Sequence, residues 1–106
     1  MKVYRNHGGN MAARIEPYKN SSGYDAYRVW YDGKLVISCL YESDAKQNAE
    51  CLDWAFDAVK GMHIPSLIEN HNQWFARFHR VNGYTFRNAE YKRKQSELTA
   101  LHFFNR

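Results

Sequence analysis

Apolar residues in this chain switch between two periods. From Ser43 to Gly61, the residues Ala45, Ala49, Leu52, Ala55, Phe56 and Val59 recur every three to four positions, the spacing that gathers them on one side of a helix. The flanks supply boundaries. Ser43 offers a hydroxyl to the open amides of a first turn, Asp44 sets a negative charge at the positive end of the helix dipole, and Lys60-Gly61 gives a cation and a residue tolerant of left-handed backbone at the stop. Before this helix the period falls to two. YDAYRVWYDGKLVISCLY carries two runs rich in β-branched and aromatic residues around Asp32-Gly33, which predicts a hairpin with strands at 24–31 and 34–41. Alternation puts Tyr27, Val29 and Tyr31 on one face and Arg28 and Trp30 on the other, while Leu35, Ile37, Cys39 and Tyr41 alternate with Val36, Ser38 and Leu40. The expected core contact is therefore Leu52, Phe56 and Val59 against Val29, Ile37 and Leu35.

The remaining segments read less sharply. MAARIEPY at 11–18 suits a strand that lies at an edge or ends near Pro17, because proline cannot donate to a ladder, and residues 19–23 are a turn by composition. Residues 1–10 have no periodicity and fit either a flexible lead or a short edge strand. After Gly61, Pro65 suits the first turn of a second helix, with Ile64, Leu67, Ile68, His71, Trp74, Phe75, Phe78 and Val81 as its apolar stripe and Asn82-Gly83 as its stop. A third helix is expected over 88–104, with Tyr91, Leu98, Leu101 and Phe104 on one stripe. The fold class that follows is α+β, a three-stranded antiparallel meander packed on one central helix and followed by two C-terminal helices. The whole is one domain over 1–106: a lead at 1–10, a β-β-β-α unit at 11–62 and a helical half at 63–106.

Charge changes this picture where it is unevenly placed. The 106 residues carry a net charge of +4, and residues 1–62 balance to zero. Arg77, Arg80, Arg87, Lys92, Arg93, Lys94 and Arg106, set against Glu69, Glu90 and Glu97, supply the whole excess, so the helical half is the basic half. Lys92, Arg93 and Lys94 fall in the first turns of the third helix, where cations oppose the dipole, so helix stability does not account for them. Aromatic residues make up 16% of the chain, and in YRVWYDGK and WFARFHRVNGYTFRNAEYKRK they interleave with cations, giving rings that stack on bases beside groups that contact phosphates. Trp74, Phe75 and Phe78 already belong to the apolar stripe, which leaves Tyr84, Phe86 and Tyr91 as the binding aromatics of the second run.

Catalytic and metal chemistry is not encoded locally. His7, His63, His71, His79 and His102 lack the i, i+4 pairing that presents two ligands to one ion, and His71 reads as a hydrogen-bonded core residue. Cys39 and Cys51 show no CxxC spacing and no disulfide framework, so they are expected to be reduced, with Cys51 a buried structural thiol. Asp53 and Asp57 read as a solvated helix face, and Gly8-Gly9 lacks the strand and helix of a phosphate loop. No enzymatic activity, metal or cofactor is expected. The N-terminal residues lack an apolar core of signal-peptide type and no stretch is long and apolar enough to span a bilayer, which gives a cytoplasmic expectation.

Over residues 12–61, the Asp32-Gly33-Lys34 hairpin, Tyr41 just before the helix, Ala49 followed by Leu52-Asp53 and Ala55, and the closing Gly61 resemble the AP2-type and integrase arm-type DNA-binding domains. Cys39-Leu40 stands where those domains usually have a glycine before the aromatic, and Arg14 and Arg28 are fewer strand arginines than the family carries. The resemblance implies a sheet whose face bearing Arg14, Arg28, Trp30 and Lys34 enters a major groove, with the basic helices as an addition. The expected function is that of a small nucleic-acid-binding protein of phage or mobile-element type. DNA is favoured over RNA, through Arg14, Arg28, Trp30, Lys34, Arg77, Arg80, Arg87, Tyr91, Lys92, Arg93 and Lys94. The alternative is a phage protein that inhibits a host nucleic-acid machine by protein contact, such as an anti-CRISPR or a polymerase inhibitor, acting in the host cytoplasm. Homodimerisation through Trp54 or Phe103-Phe104 stays open.

Overall fold

The computed structural model describes residues 2–5, 12–83 and 88–105, with side chains from 13 onward in those ranges. The elements are β1 (Lys2–Arg5), β2 (Ala12–Lys19), β3 (Asp25–Tyr31), β4 (Lys34–Cys39), α1 (Glu42–Ala58), α2 (Ile64–Asn82) and α3 (Ala89–Phe104). Their order is the expected α+β one, with a meander that continues into the helices. The strands pair antiparallel in chain order, and β1 adds a fourth strand beside β2, with Lys2 opposite Ile15 and Arg5 opposite Ala12. Residues 2–5 are therefore an edge strand and not a lead, while 6–11 lie outside the described residues.

Local chemistry explains the two described hairpins. Asp32 and Gly33 both take positive φ, 52° and 74°, the conformation of a two-residue turn whose twist matches the strands it joins. Between β2 and β3 the Asn20 side-chain oxygen accepts from the amides of Ser22 and Tyr24, each at 3.0 Å, and closes the turn. The pairing of β3 with β4 then departs from strict alternation. Val29 faces Ile37 but Trp30 faces Leu35, so Val36 is an extra residue in a bulge. Leu35 and Val36 are adjacent apolar residues, and only one can point inward. Val36 packs on the core, and Leu35 stands on the opposite face beside Trp30, 45% exposed. Leu35 is thus not the core contact that alternation assigned to it.

The inner face of the sheet, built from Ala13, Ile15, Val29 and Tyr31, is covered by α1. Ala45, Ala49, Leu52 and Ala55 are buried, as is Cys51 near Arg93 and Glu97 of α3, and the alanines' small side chains let the helix lie close to the strands while larger sheet residues fill the interior. Ser43 is not the N-cap: Tyr41 holds that place with extended backbone, and no side chain closes the first turn. A hydroxyl cap contributes about 1 kcal/mol. Burial of Ala45 and Ala49 therefore sets where the helix begins, with Glu42 and Asp44 meeting its positive end. Helix α1 ends at Ala58, and Gly61 follows in left-handed backbone at φ 68°.

Helix α3 starts where Asn88 caps it, its side-chain oxygen accepting the Tyr91 amide at 3.0 Å, and it lies beside α1. At its far end Phe103 and Phe104 meet the buried Tyr31 ring edge-on at 5.8 and 5.3 Å. These phenylalanines complete the core of one chain and so are not a free dimer surface, and Trp54 likewise turns to the His71 ring at 6.0 Å. Helix α2 packs along α3 and approaches no strand.

The three helices meet at an ionic cluster. His71 Nδ1 lies 3.0 Å from the Leu67 carbonyl oxygen, and its Nε2 lies 2.9 Å from a carboxylate oxygen of Glu97. Arg93 donates to the other Glu97 oxygen at 3.1 Å and reaches Glu50 of α1 at 3.6 Å. Burial alone would raise the Glu97 pKa, but the hydrogen bonds from His71 and Arg93 and the charges of Lys94 and Arg93 outweigh it and hold the carboxyl below its usual range.

Two outcomes follow for stability. Leu52→Ala leaves a cavity between α1 and the sheet and should cost roughly 2–5 kcal/mol in denaturant melts, an unchanged midpoint being the contrary result. Because folding favours ionised Glu97, the unfolded chain takes up that proton first, so the contribution is present above the ordinary carboxylate range and is lost as pH falls through the folded value. Glu97→Gln should therefore lower stability near neutral pH by about 1–3 kcal/mol and flatten the acid limb of the stability curve, as followed by circular dichroism. An acid limb as steep as that of the wild type would remove Glu97 from this role.

Candidate nucleic-acid interface

With α1 on the inner face, the outer face of the sheet is covered by no described element. Register places its side chains in rows. Arg14, Trp30 and Leu35 lie across β2, β3 and β4, and Glu16, Arg28 and Ser38 form the next row. One carboxylate organises the centre. Glu16 accepts from Trp30 Nε1 at 3.1 Å and from Arg28 at 3.4 Å, and the Arg28 guanidinium lies over the Tyr18 ring at 3.7 Å from its centroid. Arg28 and Trp30 are thus held in fixed poses by neighbours on the same face. Arg14 is exposed and has no partner among the described residues, whereas Lys34, exposed where β4 begins, stands opposite the inward-facing Tyr31 and so falls outside the Arg14–Trp30 face on which it was expected.

The basic half does not form one surface with this face. Arg77 and Arg80 are exposed on α2, which touches α3 and no strand. Lys92, Arg93 and Lys94 turn toward carboxylates: Lys92 to Asp44 at 3.8 Å, Arg93 to Glu50 and Glu97, and Lys94 to Glu97 at 3.7 Å. Three cations face three carboxylates, so the cluster is electrically balanced and its placement against the dipole is explained by pairing across helices. Each such partly exposed pair contributes about 0–1 kcal/mol. Tyr91 is not a stacking platform either. It is 4% exposed, its hydroxyl lies 2.9 Å from His79 Nε2, and its ring is enclosed by Trp74, Phe75 and Phe78. Arg87, Tyr84, Phe86 and Arg106 lie outside the described residues.

Glu16 and Tyr18 were not singled out by sequence reasoning, although their positions two and four residues after Arg14 on β2 put them on its face by simple alternation. The thiols have ordinary structural settings. Burial, with the Asp44 charge, pushes Cys39 up to about 11, and burial pushes Cys51 up to about 12 against a lowering effect of Arg93, so neither is a thiolate near neutral pH. Among the described residues no three His, Cys, Asp or Glu side chains gather as a metal site would require, and no helix is long and apolar enough to cross a membrane. Comparison of the chain with models of protein families, with curated proteins and with solved structures gives no match.

Proposed function

We propose that the protein binds double-stranded DNA through the outer face of its sheet, with Arg14, Arg28 and Trp30 as the reading side chains. The observation that carries this reading is the uncovered face on which Arg14 and Trp30 stand in one cross-strand row and Arg28 in the next. Strands lie about 4.8 Å apart, so two or three of them fit a major groove about 12 Å wide. The chemistry suits base edges. A free arginine can donate twice to guanine, a carboxylate such as Glu16 can accept from the cytosine amino group, and an indole edge packs against the thymine methyl. Holding Arg28 over Tyr18 lowers the ordering cost on binding, because the guanidinium is already confined. The resemblance of residues 12–61 to sheet-based DNA-binding domains points the same way. The paired Lys92, Arg93 and Lys94 add little to this surface, and Arg77 and Arg80 act at most as separate phosphate contacts.

Fluorescence anisotropy with a labelled duplex at two salt concentrations tests the reading. Arg14→Ala should weaken binding about tenfold or more, since a bidentate base contact contributes roughly 1–3 kcal/mol, while melting at the wild-type midpoint. Alanine at Lys92, Arg93 and Lys94 together should change the salt slope by less than about one unit, where three phosphate contacts would change it by nearly three. Absence of duplex binding at low salt, or a loss confined to the triple variant, would sink the sheet-face reading. Binding to a single dominant protein with none to DNA would favour an inhibitor of a nucleic-acid machine.

A further inference from the structure

Strand β4 is the last strand of the sheet, and α3 runs beside its free edge without closing on it. Two adjoining clefts of about 520 and 350 Å³ lie there, the larger where β4, α3 and the first turns of α1 meet and the smaller between β4 and α3. Residues 36–39 form one wall and Thr99 of α3 lines both clefts, so the two make one groove along the edge. We infer that this groove takes an extended, uncharged peptide segment of a partner protein as a fifth strand on β4.

The backbone argues for a strand as occupant. In an edge strand, every second residue turns its amide and carbonyl away from the sheet, and those of residues 36–39 have no partner among the described residues. Such a row is matched at about 4.8 Å by another strand, and a helix or a compact ligand lacks the spacing. Four lining residues of β4 span roughly 13 Å, enough for a partner segment of about four residues. The far wall fits side chains of such a segment. Leu98 of α3 gives it an apolar contact across from Ile37, and Gln47 of α1 with Gln95 and Thr99 of α3 gives it amide and hydroxyl groups able to meet a peptide or a small polar side chain.

Charge separates this occupant from nucleic acid. Asp44 and Lys92 are the charged residues of the larger cleft, and they face each other at 3.8 Å, so the groove presents no net field to a polyanion. Immediately beyond β4, Leu40 and Tyr41 are 59% and 67% exposed, an apolar platform where an inserted segment would leave the groove. The site is distinct from the outer sheet face and does not depend on DNA being bound there.

The test uses the full chain and a displayed library of linear random peptides, from which an enriched peptide is synthesised. Selected peptides should be uncharged and rich in β-prone residues, and their titration should shift the amide resonances of residues 36–39 and 95–99. N-methylation at alternate peptide positions should weaken binding more than tenfold and leave the intervening positions near neutral, the signature of ladder pairing. Thr99→Trp, which fills both clefts, and Gln95→Trp, at an exposed position on the rim, should each abolish binding, the second serving if the first fails to fold. The proposal is overturned if no peptide is enriched, if N-methylation shows no alternation, or if both tryptophan variants bind as the wild type does. A concentration-dependent dimer lost in the same variants would give the groove to a second copy, and DNA shifting the same amides would give it to nucleic acid. Either result also overturns the peptide assignment.

Discussion

The fold depends on how closely α1 can approach two neighbours at once. Its alanines at 45, 49 and 55 face β2 and β3, and its Cys51 and Leu52 are buried in the same cluster as Leu101 of α3. Larger residues at the alanine positions would lift the helix off Ile15, Val29 and Tyr31, and overpacking of that kind costs about 1–3 kcal/mol per site. Because α1 reaches β2, β3, β4 and α3, an error in its seating would spread to every layer. Tyr31 shows the coupling. It sits on the strand side of the core and receives Phe56 from α1 and both C-terminal phenylalanines from α3, so strand, central helix and last helix share one aromatic contact.

Polar chemistry repeats this sharing at the other end of α3. Glu97 ties His71 of α2 to Arg93 of its own helix, and Arg93 passes on to Glu50 of α1. A buried carboxylate is costly unless every partner is in place, so the cluster fixes the register of three helices more than it adds net stability. The same pairing takes up three of the seven cations of the C-terminal half, Lys92, Arg93 and Lys94. Charge counted along a sequence overstates the field at the surface wherever helices bring acids from another element, and here Asp44 and Glu50 arrive from α1.

Much of the architecture was legible because local signals agreed with one another. The Asp32-Gly33 turn, Pro65 at a helix start and Gly83 at a stop are set by backbone chemistry that acts within a few residues. Ser43 failed as a cap since tertiary burial of α1 outweighs a single hydrogen bond, and Leu35 failed as a core residue since period two cannot register a bulge. The candidate site divided along the same line. Arg14, Arg28 and Trp30 were legible as one face because alternation is local, and that face is uncovered. The pairing of Lys92, Arg93 and Lys94 was not, for it depends on partners up to about fifty positions away and on how α1 meets α3.

The bulge at Val36 links the two surfaces that carry the proposals. Were the ladder regular with Val36 kept, Leu35 would face Tyr31 and point inward, and Val36 would stand opposite Trp30 on the outer face. With the bulge, Leu35 extends the Arg14–Trp30 row by an apolar side chain, and Val36 turns toward Thr99, His102 and Phe103 to line the smaller cleft. Bulges also add local twist, which swings the end of an edge strand relative to whatever packs beside it. A strand edge twisted in this way is matched by a neighbouring helix over only part of its length, and the clefts lined by residues 36–39 and α3 lie along that edge. One inserted residue thus decides which of Leu35 and Val36 joins the outer row, and deleting Val36 would be expected to leave Leu35 opposite Trp30 and Ile37 opposite Val29 while removing the side chain that lines the smaller cleft.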